Sequence, residues 1–385
     1  MRKKIIILSA STGGGHNKAA MAIKNEIEEH NINGEKIECE IIDSLKLVNI
    51  VVDKVISKGY EKSAMYTPKA YGKAYKLSET HLMSHTFNDS PLISIMARKL
   101  KKLIINHNPD LIIGTHPFPM MALSNLKKHY KNNNKINIPT MVSILTDYTT
   151  HSTWIQDEID YYISAHELIK EILISEGISC KKIKSFGIPI EKSFFNSRDK
   201  NIVLEELSLN PSKFTVLLMG GSFGAGNIKE TLENLIDIKR DFQILVITGR
   251  NESLQESLSK KFSDNENKEI KILGYVKNMN EILSSIDVLI TKPGGLTTTE
   301  ALLKEVPMIV PYYIPGQEEE NLDFLTNNGC AIRVTKKFTL DVILKDIIDN
   351  PSRIRNIKNN IKATKKENSA ENISNFIVEI LKNPQ

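Results

Sequence analysis

The sequence predicts an α/β protein of two Rossmann-like domains facing a central cleft, and three observations carry that expectation. Short apolar runs alternate with stretches of helical periodicity along the whole chain. Each half opens on an apolar run that turns through glycines into a helix, and a Gly-Pro break, Phe186-Gly187-Ile188-Pro189-Ile190, lies between the halves. A continuous apolar run is the pattern of a strand buried on both faces of a parallel sheet, and parallel neighbours require crossover helices.

In the first half, Lys3–Ser9 reads as such a strand. It leads through Ser11-Thr12-Gly13-Gly14-Gly15-His16 into a helix expected over Lys18–Glu29, with Ala19, Ala22, Ile23 and Ile27 on one face. Ile37–Ile42, Leu111–Gly114, Thr140–Leu145 and Tyr161–Ser164 are the next predicted strands. The second half repeats the scheme: Thr215–Met219 runs into Gly220-Gly221-Ser222-Phe223-Gly224-Ala225-Gly226 and a helix from about Ile228. Gln243–Ile247, Ile270–Leu273, Val288–Ile290 and Met308–Val310 follow as strands. The expected division is 1–188 and 189–365, with 366–385 a C-terminal helix packing back on the first domain.

Composition fits this reading. Of 385 residues, 41% are hydrophobic and 25% charged, enough apolar material for two cores and too much for disorder. Cys39, Cys180 and Cys330 are too far apart in sequence for a disulfide framework or a metal cluster, so no metal is expected. The apolar run after Arg2-Lys3-Lys4 stops at four residues, short of the roughly 7–15 of a secretory signal. No stretch approaches the ~20 needed to span a bilayer. A cytoplasmic or peripheral protein is expected. Net charge is +5, and residues 53–102 concentrate ten Lys/Arg against four Asp/Glu.

Four segments carry candidate chemistry. Gly14 and Gly15 let a ligand approach the backbone at a helix N-terminus, and His16 would project there with a pKa near neutrality. The alternative is a tight turn with a solvent-facing histidine. Gly220–Gly226 lacks the GxxxxGK[ST] spacing and lysine of a phosphate-hydrolysing loop; Gly221 and Ser222 suit a diphosphate held without tightly bound Mg²⁺, although a dehydrogenase loop reads similarly. Thr291-Lys292-Pro293-Gly294-Gly295-Leu296-Thr297-Thr298-Thr299-Glu300-Ala301 is a strand end, a glycine turn and a helix start. Thr297–Thr299 are expected to cap that helix, with Glu300 in its first turn, placed either to grip vicinal hydroxyls or merely to complement the dipole. Pro315–Asn321 is expected to be a polar loop in which Gln317 and Asn321 meet sugar hydroxyls and the three glutamates form a solvated face. Thr115-His116-Pro117-Phe118-Pro119, Thr146-Asp147, His151 and Trp154 complete the set, with Trp154 read as a sugar or lipid contact or as core.

Taken together, Ser11–His16 with Ala19-Ala20, Thr115-His116-Pro117, Thr146-Asp147 with His151 and Trp154, Gly187-Ile188-Pro189, Met219–Ser222, Gly274-Tyr275-Val276, Lys292–Ala301 and Pro315–Asn321 resemble, in order, the monogalactosyldiacylglycerol synthase and processive diacylglycerol β-glucosyltransferase family. That family is related to the N-acetylglucosaminyltransferase forming the lipid-linked peptidoglycan precursor. The resemblance implies a GT-B fold, an inverting single displacement, a UDP-sugar donor (UDP-glucose or UDP-galactose), a diacylglycerol or glycolipid acceptor, no cofactor or metal, and peripheral attachment at the inner face of the cell membrane. It makes the first domain the acceptor- and membrane-binding one. His16 is then the acceptor-side catalytic residue, and Asp147 the alternative base or the group orienting His16. Tyr275 and Val276 would hold uracil, Glu300 the ribose, Gln317 and Asn321 the sugar, and Gly294, Gly295, Leu296 and Thr297 with Ser222 the diphosphate. Where relatives carry proline after the tryptophan, this chain has Ile155. No nucleic-acid role is implied. An epimerase or transferase acting on soluble substrates, or a non-catalytic UDP-sugar sensor, are the competing classes; the first consumes UDP-sugar without lipid, the second binds it without turnover.

One further expectation concerns an anionic bilayer. Val48, Val51, Val52, Val55 and Ile56 repeat at helical spacing, with Lys54, Lys58 and Lys62 beside them. Tyr66, Tyr71 and Tyr75 interleave with Lys69, Lys73 and Lys76. A basic, aromatic-bearing face of this kind suits a membrane surface, whereas valines packed into the core are the alternative.

Overall fold

A computed structural model describes residues 2–11, 14–32, 34–49, 67–78, 90–130, 137–220, 227–263, 265 and 267–383. Two compact units result: Met1–Glu191 with Lys366–Gln385, and Lys192–Lys365. The sequence division at 188/189 is displaced to 191/192. Ile188 and Ile190 are buried, and the Ser369 hydroxyl donates to the Ile188 carbonyl at 2.8 Å, which ties this segment to the first unit. Gly187 supplies a positive φ of 94° there, against Lys366 and Ser369.

The first unit is built on β1 (Lys4–Ser9), a small antiparallel hairpin of β2 (Asn31–Ile32) and β3 (Glu35–Lys36), β4 (Glu38–Asp43), β5 (Leu111–Gly114), β6 (Thr140–Ile144), β7 (Tyr161–Ile163) and β8 (Ile183–Lys184). Apart from the hairpin the strands form one parallel sheet in the order β4-β1-β5-β6-β7-β8. Its core joins Ile5, Ile7, Ile113, Val142 and Ile144 to Ala20, Ile23 and Ile27 of the helix Gly15–Glu28. Ile373, Ile377 and Leu381 of the C-terminal helix Ser369–Lys382 close the same cluster.

The second unit holds β9 (Thr215–Met219), β10 (Gln243–Ile247), β11 (Ile270–Leu273), β12 (Val288–Ile290), β13 (Met308–Val310) and β14 (Ala331–Arg333). They form a parallel sheet in the order β11-β10-β9-β12-β13-β14. Val216, Leu218, Val246, Ile290 and Ile309 pack with the helices Ile228–Ile236 and Leu340–Asp349.

Both sheets contain a reversal of winding. In the first, the chain moves from β1 out to β4 and returns to place β5 on the other side of β1. In the second, β12 returns to the other side of β9. Loops at the carboxyl ends of strands flanking such a reversal diverge and leave a crevice, so ligand sites in open α/β sheets belong there. In this chain those ends are Ser9 and Gly114, and Met219 and Ile290.

Candidate functional site

In the first unit, the helix after β1 begins at Gly15, earlier than the expected Lys18. Gly14 sits in the left-handed region at φ 80° and makes the turn, and no side chain caps the helix. The turn is braced from below its first residues: Ser9 Oγ donates to Asn17 Oδ1 at 2.6 Å, Asn17 Nδ2 to Ser11 Oγ at 3.4 Å, and Ser11 Oγ to the Asp43 carboxylate. His16 therefore lies in the first helical turn, half-buried, rather than facing solvent from a tight turn.

Its ring is fixed by residues from two other strand ends. His16 Nδ1–H donates to the Thr115 carbonyl at 2.7 Å and is shared with Thr146 Oγ1 at 3.0 Å, while the Thr115 hydroxyl donates to the His16 carbonyl at 3.1 Å. A carbonyl oxygen only accepts, so Nδ1 carries the hydrogen and Nε2 keeps the lone pair. Burial, the dominant effect, outweighs the Thr115 hydrogen bond and lowers the His16 pKa from 6.5 to about 4. This corrects the expectation of a value near neutrality. His16 is a neutral imidazole at physiological pH.

His116 packs edge-on against His16, with ring centroids 4.7 Å apart and an interplanar angle of 71°. It is buried, and its Nδ1 accepts the Phe118 backbone N–H at 3.2 Å, so it holds the opposite tautomer. Burial first, and the neighbouring His16 second, hold its pKa well below 6.5. Asp147 follows Thr146 and is buried. The groups that orient the His16 ring are thus Thr115 and Thr146, both quoted in the sequence motifs but without this role. The available signal was their position just past two adjacent parallel strands.

His151 caps the short helix Ser152–Trp154 and receives the Thr153 N–H on Nδ1 at 3.1 Å. Its ring lies 4.6 Å from that of Tyr75, and its Nε2 lies 3.0 Å from Ser78 Oγ. Trp154 is buried and belongs to the core. On the helix Pro68–Ser78, Tyr71 and Tyr75 are half-buried, whereas Lys73, Lys76 and Leu77 are exposed. In the described part of the expected basic, aromatic-bearing face, the lysines are thus exposed and the tyrosines partly so. Val48 is buried. Val51, Val52, Lys54, Val55, Ile56, Lys58, Lys62, Tyr66 and the Lys69 side chain lie outside the described residues, as do Gly221 and Ser222.

In the second unit, the helix after β12 starts at Gly295 with Gly294 as its cap residue and no side-chain cap. The expected threonine cap is not used. Thr297–Thr299 stand inside the helix, and the Thr299 hydroxyl donates back to the Gly295 carbonyl at 2.8 Å. With no side-chain acceptor spent on the first turn, its N–H groups and positive dipole end suit an anion. Gly294 has an ordinary φ of −69°, and a Cβ added to it meets nothing within 4 Å. Room for a close approach, not backbone strain, is what this glycine provides.

Glu300 is buried in the second turn, not the first as expected. Helix-dipole effects fall off within the first turn, so a purely dipolar role is weakened. Gln317 begins the helix Gln317–Asn327 and is half-buried, so the expected polar loop is helical from that residue. Asn321, expected to meet the sugar, is fully buried and donates Nδ2–H to the Pro293 carbonyl at 3.0 Å. Glu318, read from sequence as solvated, is buried and paired with Lys292. Tyr275 is exposed with the Arg250 guanidinium 5.4 Å from its ring centre, and Val276 is half-buried. Among the described residues, no three His, Cys, Asp or Glu side chains are grouped as metal ligands, and no helix is long and apolar enough to cross a membrane.

Residues 16–190 match the family Monogalactosyldiacylglycerol (MGDG) synthase, and residues 215–378 match the Glycosyltransferase family 28 C-terminal domain. The chain is 32% identical over 378 residues to the Processive diacylglycerol beta-glucosyltransferase of Bacillus licheniformis, covering 98% of this chain and 95% of that one. The chain belongs to this family. It is also 31% identical to the enzymes of the same name from Staphylococcus epidermidis, over 98% of this chain and 93% of that one, and from Bacillus subtilis, over 96% and 93%. Among solved structures, it resembles the S. aureus MnaA–UDP complex (TM-score 0.62, 13% identity, 99% of this chain and 97% of that one). MurG of Acinetobacter baumannii gives a TM-score of 0.61 at 11% identity, over 98% and 100%. At such identities these likenesses establish the fold, and the fold is GT-B.

Proposed function

We propose that this protein is an inverting hexosyltransferase that moves a sugar from UDP-glucose or UDP-galactose onto diacylglycerol or a related glycolipid. The observation that carries the chemistry is the state of His16: a neutral ring locked through Nδ1, with Nε2 left as the basic nitrogen. Full-length similarity to processive diacylglycerol beta-glucosyltransferases supports the substrate class.

In this reading His16 Nε2 takes the proton of the acceptor hydroxyl as its oxygen attacks the anomeric carbon. General-base help of this kind contributes about 10²–10⁴-fold. Thr115 and Thr146 hold the ring, and the backbone carbonyl stabilises the imidazolium that forms. Asp147 remains the alternative base. The second unit grips the donor. The uncapped N-terminus at Gly294, Gly295, Leu296 and Thr297 receives the diphosphate and stabilises it as it leaves, with Gly221 and Ser222 as further contacts. Glu300 binds the ribose hydroxyls, Tyr275 and Val276 the uracil, and Gln317 the sugar. Charge at the leaving group is met by backbone N–H groups, so we propose a reaction that needs no metal or cofactor.

We further propose peripheral attachment to an anionic, cytoplasm-facing membrane surface. The exposed face of the helix Pro91–His107 carries Arg98, Lys99 and Lys102 beside the exposed Ile95 and Ile105, with no acidic residue in the helix. Lys73, Lys76 and Leu77 add a second exposed basic stretch.

The test is incubation of the protein with labelled UDP-glucose or UDP-galactose and diacylglycerol vesicles, followed by lipid chromatography. Label in a diacylglycerol glycolipid is expected from one donor. UDP-sugar consumed without lipid, or bound without any transfer, would refute the proposal.

A further inference from the structure

The run Gln317-Glu318-Glu319-Glu320-Asn321 begins the helix after β13, yet Glu318 and Asn321 are both buried. They stand three residues apart, on one face of the helix. Both reach the same place. Lys292 Nζ donates to the Glu318 carboxylate, and Asn321 Nδ2–H donates to the Pro293 carbonyl at 3.0 Å. Glu318 Oε2 also accepts the Ile314 N–H at 2.9 Å, fixing the chain that leaves β13. The Lys292 side chain is 20% exposed and that of Glu318 6%, so water screens the pair poorly. One helix face thus clasps two consecutive residues, Lys292 and Pro293, immediately before the Gly294–Gly295 turn.

We propose that Glu318 and Asn321 are positioning residues for the donor loop. Through Lys292 and the Pro293 carbonyl they set the height and direction of the first turn of the helix Gly295–Leu303. This rests on the reading above that the turn receives the UDP diphosphate. This role needs no contact of either residue with the donor. Their effect is to keep the Gly295, Leu296 and Thr297 N–H groups aimed at one point, and misplacement by about an ångström at such a site costs up to about 10²-fold. The ion pair also ties the loops after β12 and β13 together, so that the segment presenting Gln317 and the segment presenting the helix N-terminus keep one spacing.

Removing one partner would leave a buried charge and destabilise the fold outright, so the informative variant removes both. Lys292→Met/Glu318→Gln leaves no unpaired charge. Its melting temperature should stay near that of wild type, while its UDP affinity in calorimetry falls about tenfold. Amide exchange at Thr298, whose N–H donates to the Gly294 carbonyl at 2.8 Å, should accelerate while the β9 and β12 amides remain protected. Lys292→Arg preserves the pair and should bind UDP like wild type. UDP affinity of the double variant within about twofold of wild type overturns the proposal, as does a Lys292→Arg variant as weak as the double. Loss of the whole second unit in the double variant would make the pair a global fold determinant and overturns it as well. A wild-type protein that binds no UDP refutes the donor reading itself, a separate result from equal binding by wild type and variant.

Discussion

Acid titration of His16 gives the most stringent check on the proposed base. The ring pKa stands at about 4 against 6.5 in an unfolded chain, a difference of roughly 3 kcal/mol at 1.36 kcal/mol per unit. Two consequences follow with definite signs. A base must be unprotonated, so kcat/KM should stay flat as pH falls through 6.5 and decline only towards pH 4. Folded His16 binds its proton more weakly than the unfolded chain. The stability it contributes is therefore complete above pH 6.5 and drains between 6.5 and about 4. His16→Ala should lower kcat by about 10²–10⁴-fold with UDP affinity unchanged, and should flatten the loss of stability between pH 7 and 5 in denaturant titrations. Part of the slope should persist, because His116 is depressed in the same direction. Thr146→Val removes the hydroxyl shared with Nδ1–H but leaves the Thr115 carbonyl, so a smaller fall in kcat is expected. An acid limb centred at 6.5 would show that the working ring is solvated. An active His16→Ala enzyme with a dead Asp147→Asn would move the base to Asp147.

Three other outcomes are expected. Gly294→Ala should fold normally, because its φ of −69° suits alanine and the added methyl meets no neighbour, yet it should weaken UDP binding in calorimetry; unchanged affinity would show that the open space is not used by the donor. Glu300→Ala should weaken UDP by about 1.5–3 kcal/mol, and wild type and variant should bind 2′-deoxy-UDP alike, whereas equal loss with both nucleotides would reduce Glu300 to a structural part. Reversal of Lys73, Lys76, Lys99 and Lys102 to Glu should release the protein from anionic vesicles at about 1 kcal/mol per lysine and leave UDP binding intact; equal sedimentation of variant and wild type would refute the docking face.

What the sequence made legible follows from what folds locally. Val216–Met219 and Leu111–Ile113 are apolar throughout because both sheet faces are covered, and the predicted bounds Thr215–Met219 and Leu111–Gly114 are found unchanged in β9 and β5. β8, one isoleucine and one lysine, and β14, which ends on Arg333, lack the uninterrupted apolar run that marks the short strands β12 and β13, and so were not seen. At the sites, residue identities were readable but pairings were not. A glycine-rich segment places His16 beside a strand end, yet the atoms that choose its tautomer come from Thr115 and Thr146, just past strands brought alongside only by the sheet order. The acidic run at 318–320 shows the same difficulty in a form that had a local remedy. Composition makes three glutamates a solvated face, but Glu318, Asn321, Leu322 and Leu325 recur at helical spacing and are the buried side of one helix. Periodicity over 318–325 would have turned Glu318 inward, and an inward carboxylate demands a cation. Lys292, two residues past the end of β12 at the reversal of the sheet, is the cation that topology brings to it. The ion pair is thus a consequence of two readable patterns joined by one unreadable fact, the adjacency of β12 and β13.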